Sequence, residues 1–276
     1  MAYIFPGEGS LDYFPCHYGS SRILFRGPKR DTDRAYVAVL GGTEAYGKFV
    51  PDPFPDLLER DLGLAVANLG CMNAGPDVFL HEPALTEVAT QACATIVQIT
   101  GAQNLSNRYY TVHPRRNDRF LAASPGLKAL YPQVDFTEFS FTRHLLTTLQ
   151  SASPDRFEVV ADELRTAWLA RMTMLLTRLR APVALLWMGE APPPTPTRRA
   201  AVGTGPALVD SDMIRALRAH AAAYAEVVFS PQARAQGVAG MSFGPLDAPA
   251  AAQVPGPLAH REVANQLLPL IEDLIA

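Results

Sequence analysis

Three short apolar runs, each stopped by glycine, constrain this chain more than any other feature. They are Ala35–Leu40 before Gly41-Gly42, Leu64–Leu69 before Gly70, and Ala94–Thr100 before Gly101. A strand buried on both faces needs no alternation of polar and apolar residues, so short runs of this kind read as central parallel strands. Helical signals separate them: Phe54–Leu62 with Pro55 near its start, and a stretch from Pro83 to Cys93. Further on, Ser153-Pro154-Asp155 supplies an N-cap, a first-turn proline and an acid near the positive helix end. Phe157, Val160, Leu164, Trp168, Met172, Leu175 and Leu179 then recur at three- and four-residue spacing until Pro182 stops the helix.

Val183–Met188 reads as a fourth strand, followed by the proline-rich loop Ala191–Pro196. A helix is expected from Ser211 towards Ala225, a short fifth strand at Val227–Phe229, and an amphipathic helix over Glu262–Leu274. Strand and helix in this rhythm predict an α/β fold: a three-layer α/β/α sandwich with a mostly parallel sheet of about five strands. No repeat or linker interrupts it, so residues 1–276 are expected to form a single domain. Residues 1–35, rich in Gly, Pro and aromatics, read as an irregular arm packed on that domain. Residues 102–150 read as an insertion after the third strand, with only short turns expected from Ala102 to about Phe141.

Composition limits the function. A net charge of −3 and a pI near 6.1 give no general basic field, so nucleic acid is not an expected partner. No apolar run is long enough to span a bilayer, and the first eight residues lack the cationic lead of a secretory signal. Neither a membrane partner nor export is expected. Cys16, Cys71 and Cys93 form no CxxC pair, which suggests neither a disulfide framework nor a zinc site. His17, His81, His113, His144 and His220 have no metal-ligand spacing. No metal or cofactor is expected, and the cytoplasm is the simplest compartment.

In open parallel sheets, ligands bind beyond the carboxyl ends of the strands. Those places hold Gly41-Gly42-Thr43-Glu44, the stretch Asn68 to Gly75, and Gly101-Ala102-Gln103-Asn104, with His260 before the last helix. Taken in order, they resemble the SGNH, or GDSL-like, hydrolase superfamily. That family has Gly-Asp-Ser after strand one, an asparagine then a glycine after strand two, Gly-x-Asn-Asp after strand three, and Asp-x-x-His before the last helix. Val37 to Phe79, including FPDLLERDLGL, follows the spacing, and HREVANQLLPLI at 260–271 resembles the last block. The chain also resembles an uncharacterised bacterial family known only as a domain of unknown function, which implies no activity.

The resemblance implies an SGNH/flavodoxin-like fold and an ester hydrolase or acyltransferase acting on a small-molecule or carbohydrate ester. Every catalytic block departs from the pattern. Thr43 stands at the serine position and Gly42 at the aspartate before it. Asn73 stands at the oxyanion glycine, Gln103 at the asparagine donor with Asn104 beside it, and Pro257 at the acid before His260. On this reading Thr43 is the nucleophile and His260 its base. The backbone N–H groups of Thr43 and Asn73, and the Gln103 amide, receive the oxyanion. Glu44, Asp77 and Asp247 are the acids available to support the histidine.

Plainer roles stand beside these. Thr43 also suits a helix cap, His260 a helix-entry residue bonded to backbone, Gly41, Gly42 and Gly70 tight turns, and Cys71 a small buried residue rather than a nucleophile. Residues Gly42 to Lys48 fit the first part of a phosphate loop, but Phe49 replaces its Ser or Thr, and no GxGxxG is present. The loop Asn107–Phe120 is the densest basic and aromatic stretch. Arg108, Arg115 and Arg116 in it, with Gly42, Glu44 and Gly70, are the candidate ligand contacts. Those arginines serve equally to tie the loop down through Asp118, Asp135 or backbone carbonyls. The second functional reading is therefore a catalytically inactive SGNH-like domain that binds an anionic or carbohydrate ligand, or a protein partner, through the same cleft.

Overall fold

The computed structural model describes residues 11–196, 202 and 205–276. The chain runs β1 (Tyr36–Gly41), α1 (Thr43–Tyr46), α2 (Phe54–Leu62), β2 (Ala65–Gly70), α3 (Pro76–Leu80), α4 (Pro83–Gln91) and β3 (Ala94–Gln98). A hairpin of β4 (Tyr110–His113) and β5 (Arg116–Ala123) follows, then α5 (Pro125–Leu130), α6 (Thr142–Ala152) and α7 (Pro154–Arg178). The rest is β6 (Val183–Gly189), α8 (Ser211–Arg218), β7 (Ala223–Val228), α9 (Pro231–Gln236), α10 (Ala248–Ala251) and α11 (Pro257–Ile275).

The five long-sheet strands are all parallel, in the order β2-β1-β3-β6-β7. Alternate residues face opposite layers. Val37, Val39, Val66, Ile96, Ala184 and Leu186 meet α2 and α11, while Ala38, Leu40, Ala67, Leu69, Leu185 and Trp187 belong to the core of α4, α7 and α8. Both faces are covered, which is why the strands read as continuous apolar runs. Val263, Leu267 and Ile271 place α11 on its layer with no exposed surface. Each such side chain contributes about 1.5–3 kcal/mol of burial. The α/β/α sandwich expected from the sequence is thus the fold.

Helix α7 starts as its sequence indicates: Pro154 fills the first turn and the Ser153 side chain accepts the Arg156 N–H. Three expectations need correction. The segment from Ala102 to Phe141 is not irregular, because Tyr110, Val112 and Phe120 point into the core while Thr111, Arg119 and Leu121 face solvent. That two-residue period is broken by register shifts around Val112, which hide it in the sequence. The helix from Ser211 stops at Arg218, since Ala223–Val228 is needed as the edge strand beside β6. The last helix begins at Pro257, whose fixed φ suits a first turn, so His260 lies inside the helix.

Of the N-terminal arm, residues 1–10 lie outside the described residues. Beyond them Tyr18, Ile23 and Phe25 are buried, and Cys16 pairs with Phe25 in an isolated antiparallel bridge. The buried Arg26 guanidinium donates to the carbonyls of Gly47 at 2.6 Å, Val50 at 2.9 Å and Pro51 at 2.6 Å. The arm therefore supplies donors to a loop that has no ladder of its own. Among the described residues no helix is long and apolar enough to cross a membrane.

Candidate functional site

Because β1 lies between β2 and β3, the chain leaves β1 in one direction and later returns across it. The tops of β1 and β3 form the point where strand order reverses, and such a point leaves a crevice. A cleft of about 110 Å³ opens there. Its walls come from the turns after β1 (Gly42, Thr43, Glu44), β2 (Asn73, Ala74) and β3 (Thr100, Gly101, Gln103, Asn104). A larger depression of about 380 Å³ lies between α4 and the end of α7. None of its residues comes from a strand-end turn, so its size does not make it the site.

Thr43 is the first residue of α1 and does not cap it; Gly42 holds that position and no side chain caps the helix. The Thr43 hydroxyl instead accepts the Asn73 N–H at 2.9 Å and donates to Asn73 Oδ1 at 3.3 Å. Asn73 sits at φ 56, in the left-handed region that asparagine tolerates better than most residues. Its carbonyl accepts from Asn104 Nδ2 at 2.9 Å, and its own amide donates to Asp118 at 3.2 Å. Asn104 in turn accepts the Thr142 hydroxyl at 2.7 Å. The sequence therefore brings Thr43, Asn73 and Asn104 together, but each holds another rather than an open space.

Gln98 organises the other wall. This buried side chain accepts from the N–H groups of Gly42 at 2.9 Å and Ala45 at 3.2 Å, replacing the missing cap of α1. Its amide donates to Glu44 at 2.9 Å. Among the described residues Glu44 has no cationic partner, and a neutral amide is all that holds its carboxylate. The stretch Thr43–Tyr46 is a helical turn, so it is not an open phosphate loop.

Gly101 and Gly70 serve different purposes. A Cβ on Gly101 would stand 2.1 Å from Gln103 Oε1, so the glycine leaves room for that amide, whose oxygen is enclosed without a partner among the described residues. A Cβ on Gly70 would stand 2.5 Å from the Tyr46 nitrogen. Gly70 lets α1 pack on β2 and does not line the cleft, which corrects its expected place among the ligand contacts.

His260 is absent from the cleft. It is 1% exposed in the first turns of α11, its Nδ1 accepts the Phe54 N–H at 3.1 Å, and its ring stacks on Phe54 with centroids 6.0 Å apart. Burial, with the Arg26 charge adding to it, lowers its pKa to about 3. The imidazole is thus neutral, with its proton on Nε2. The expected pairing of Thr43 with His260 is not made, because the last helix begins a turn earlier than its sequence suggested and carries the ring between layers. The plainer reading, a helix-entry residue bonded to backbone, describes it.

The arginine loop also differs from expectation. Arg108 pairs with Glu163 at 3.0 Å and lies over the Tyr109 ring; Arg115 bonds Glu82, which also accepts the Ser21 hydroxyl. Arg116 is exposed on β5, and none of the three lines the cleft. Asp118 and Asp135, their expected partners, instead accept from Asn73 and from Thr137. Burial pushes the Cys71 thiol up to about 11, with Asp118 and Glu82 adding to the shift, so it stays protonated and inert.

Four residues shape the site in ways that sequence reasoning did not assign; Asp118 was named there only as a partner for the loop arginines. Gln98 carried a signal, as a polar residue in the apolar run Ala94–Thr100. Asn117, Asp118 and Thr142 carried none, because their roles come from the hairpin and α6 packing over the strand ends.

A family model described as a domain of unknown function (DUF6473) matches residues 1–275. No curated protein matches the chain. Among solved structures, phospholipase A1 from Streptomyces albidoflavus is similar at 11% identity, covering 87% of this chain and 98% of that one, with a TM-score of 0.44. An extracellular lipase from Streptomyces rimosus is similar at 13% identity, covering 87% and 100%, with a TM-score of 0.41. A carbohydrate acetylesterase family member from Sinorhizobium meliloti has 11% identity, 88% and 99% coverage, and a TM-score of 0.41. Likenesses this distant assign no activity to this chain.

Proposed function

The chain belongs to the DUF6473 family, and from that premise we propose that its strand-end cleft binds a small polyhydroxylated ligand, the end of a carbohydrate, without hydrolysing it. One observation carries the reading: the only histidine expected to activate Thr43 is sealed in the core against Phe54. A threonine hydroxyl without an adjacent base is a weak nucleophile. One expected oxyanion donor and the amide beside another point the same way. The Asn73 N–H is engaged by Thr43, and the Asn104 amide by the Asn73 carbonyl. A hydrolase would need such donors free and aimed at the developing charge.

What the cleft offers instead is suited to hydroxyl groups: the Glu44 carboxylate and the amides of Gln103 and Asn73. The arginines that favoured an anionic ligand pair with Glu163 and Glu82 or lie outside it. Its volume is well below the roughly 300–1000 Å³ of pockets that enclose a drug-sized molecule, so it takes the end of a ligand. Purified protein is expected to hydrolyse acetyl and longer p-nitrophenyl esters no faster than a Thr43→Ala variant, while both bind simple sugars in ligand-observed NMR. Ester turnover that disappears in Thr43→Ala would overturn the reading and restore the hydrolase.

A further inference from the structure

Resting on the ligand-binding reading, we infer that the cleft selects a ligand whose inserted end carries an ammonium group. The observation is a carboxylate that no cation meets among the described residues. Glu44 is the only charged residue among the described walls of the cleft. It is half-buried, and its carboxylate is steadied by the Gln98 amide at 2.9 Å rather than by a lysine or arginine. Only one carboxylate oxygen, Oε2, takes that bond; Oε1 has no protein donor among the described residues.

A carboxylate drawn out of water without a cation is unfavourable, and proteins usually pair it. Here the pairing elements are present but directed elsewhere. Arg26, Arg30, Arg108 and Arg115 each have their own acceptors away from the cleft. The nearby hairpin contributes a further carboxylate, Asp118, which accepts from the Asn73 amide. Among the described residues the cleft wall is therefore negative and rich in acceptors. A neutral hydroxyl answers its hydrogen-bonding needs and leaves its charge uncompensated, an anion is repelled, and an ammonium satisfies both.

The test uses three sugars of one shape: glucosamine, glucose and glucuronate, titrated into the protein by NMR at about pH 6, where the sugar amine is protonated. Glucosamine is expected to bind about tenfold tighter than glucose, with glucuronate weakest, and its advantage is expected to shrink with added salt. In Glu44→Gln, which keeps the bond to Gln98, the ratio of glucosamine to glucose affinity is expected to fall to about one, whatever the change in overall sugar affinity. Equal affinity for glucosamine and glucose in the wild-type protein overturns the ammonium inference and leaves the sugar-binding reading standing. Failure of all three to bind, in a protein whose spectrum is that of a folded chain, overturns both. A glucosamine preference that survives in Glu44→Gln also overturns the inference, since it places the preference on a group other than the Glu44 charge.

Discussion

Replacement of Asn117 by leucine is expected to lower the unfolding free energy by on the order of 3–5 kcal/mol. Asn117 has no exposed surface. Its Oδ1 accepts the N–H groups of both Gly75 and Val78 at 3.1 Å, satisfying the free donors at the start of α3. Its amide donates to the carbonyls of His113 and Pro114, closing the turn of the hairpin. Leucine keeps the branched outline, is bulkier, and makes none of these bonds. Each buried N–H left without a partner costs about 1–3 kcal/mol. Urea unfolding of both proteins measures the difference. Asn117→Asp, which keeps the accepting oxygens, is expected to lose less than leucine. A leucine variant within about 1 kcal/mol of wild type would mean that the hairpin is not clamped through this residue. The cleft should feel the same change, because the neighbouring Asp118 steadies Asn73.

The second large effect is acid lability from His260. Its folded pKa, lowered to about 3, lies below the ordinary value of 6.5. The unfolded chain therefore binds a proton that the folded chain refuses. The stability this group confers is complete above about pH 6.5 and falls as pH drops towards about 3, where it is lost. At about 1.4 kcal/mol for each unit, the window is worth on the order of 4–5 kcal/mol. His260→Asn retains an acceptor near the Phe54 N–H and has no proton to bind. It is expected to be less stable at neutral pH, yet to lose less on acidification over the same range. Carboxylates titrate there in both proteins, so the difference between their chemical-denaturation curves is the readout. Parallel curves would place the imidazole in contact with water.

The strands and their glycines were legible because they depend on local facts. A β1 that is apolar throughout can only be a covered strand, and Gly41 and Gly70, paired in register, end β1 and β2 at one level. Thr43, Glu44, Asn73, Gln103 and Asn104 were brought to one cleft for the same reason, since the end of a parallel strand is fixed once the strand is. His260 failed because its place depends on where α11 begins. Pro257 and Gly256 permit a start there, but only packing against α2 decides it. Asp118 and Asn117 were hidden for a related reason. Their partners lie 45 and about 40 residues away, across a hairpin whose alternation is broken at Val112. The basic loop misled because charge density alone does not say which acids are near; Glu163 on α7 and Glu82 beside α4 are remote in sequence.

The contact between α2 and α11 sets a timetable for the chain as it leaves the ribosome. Phe54 and His260, which share a hydrogen bond, are 206 positions apart, and Asp61 meets Arg261 across 200. At about 5–20 residues per second, on the order of 10–40 s separates the appearance of the two helices. Through that interval Phe54, Leu57 and Leu58 have no α11 to cover them. The strands β1, β2 and β3 that α2 packs on have all been made by then, but one side of that layer stays oily. Nascent chains of this protein should therefore occupy a chaperone until α11 emerges and docks on α2.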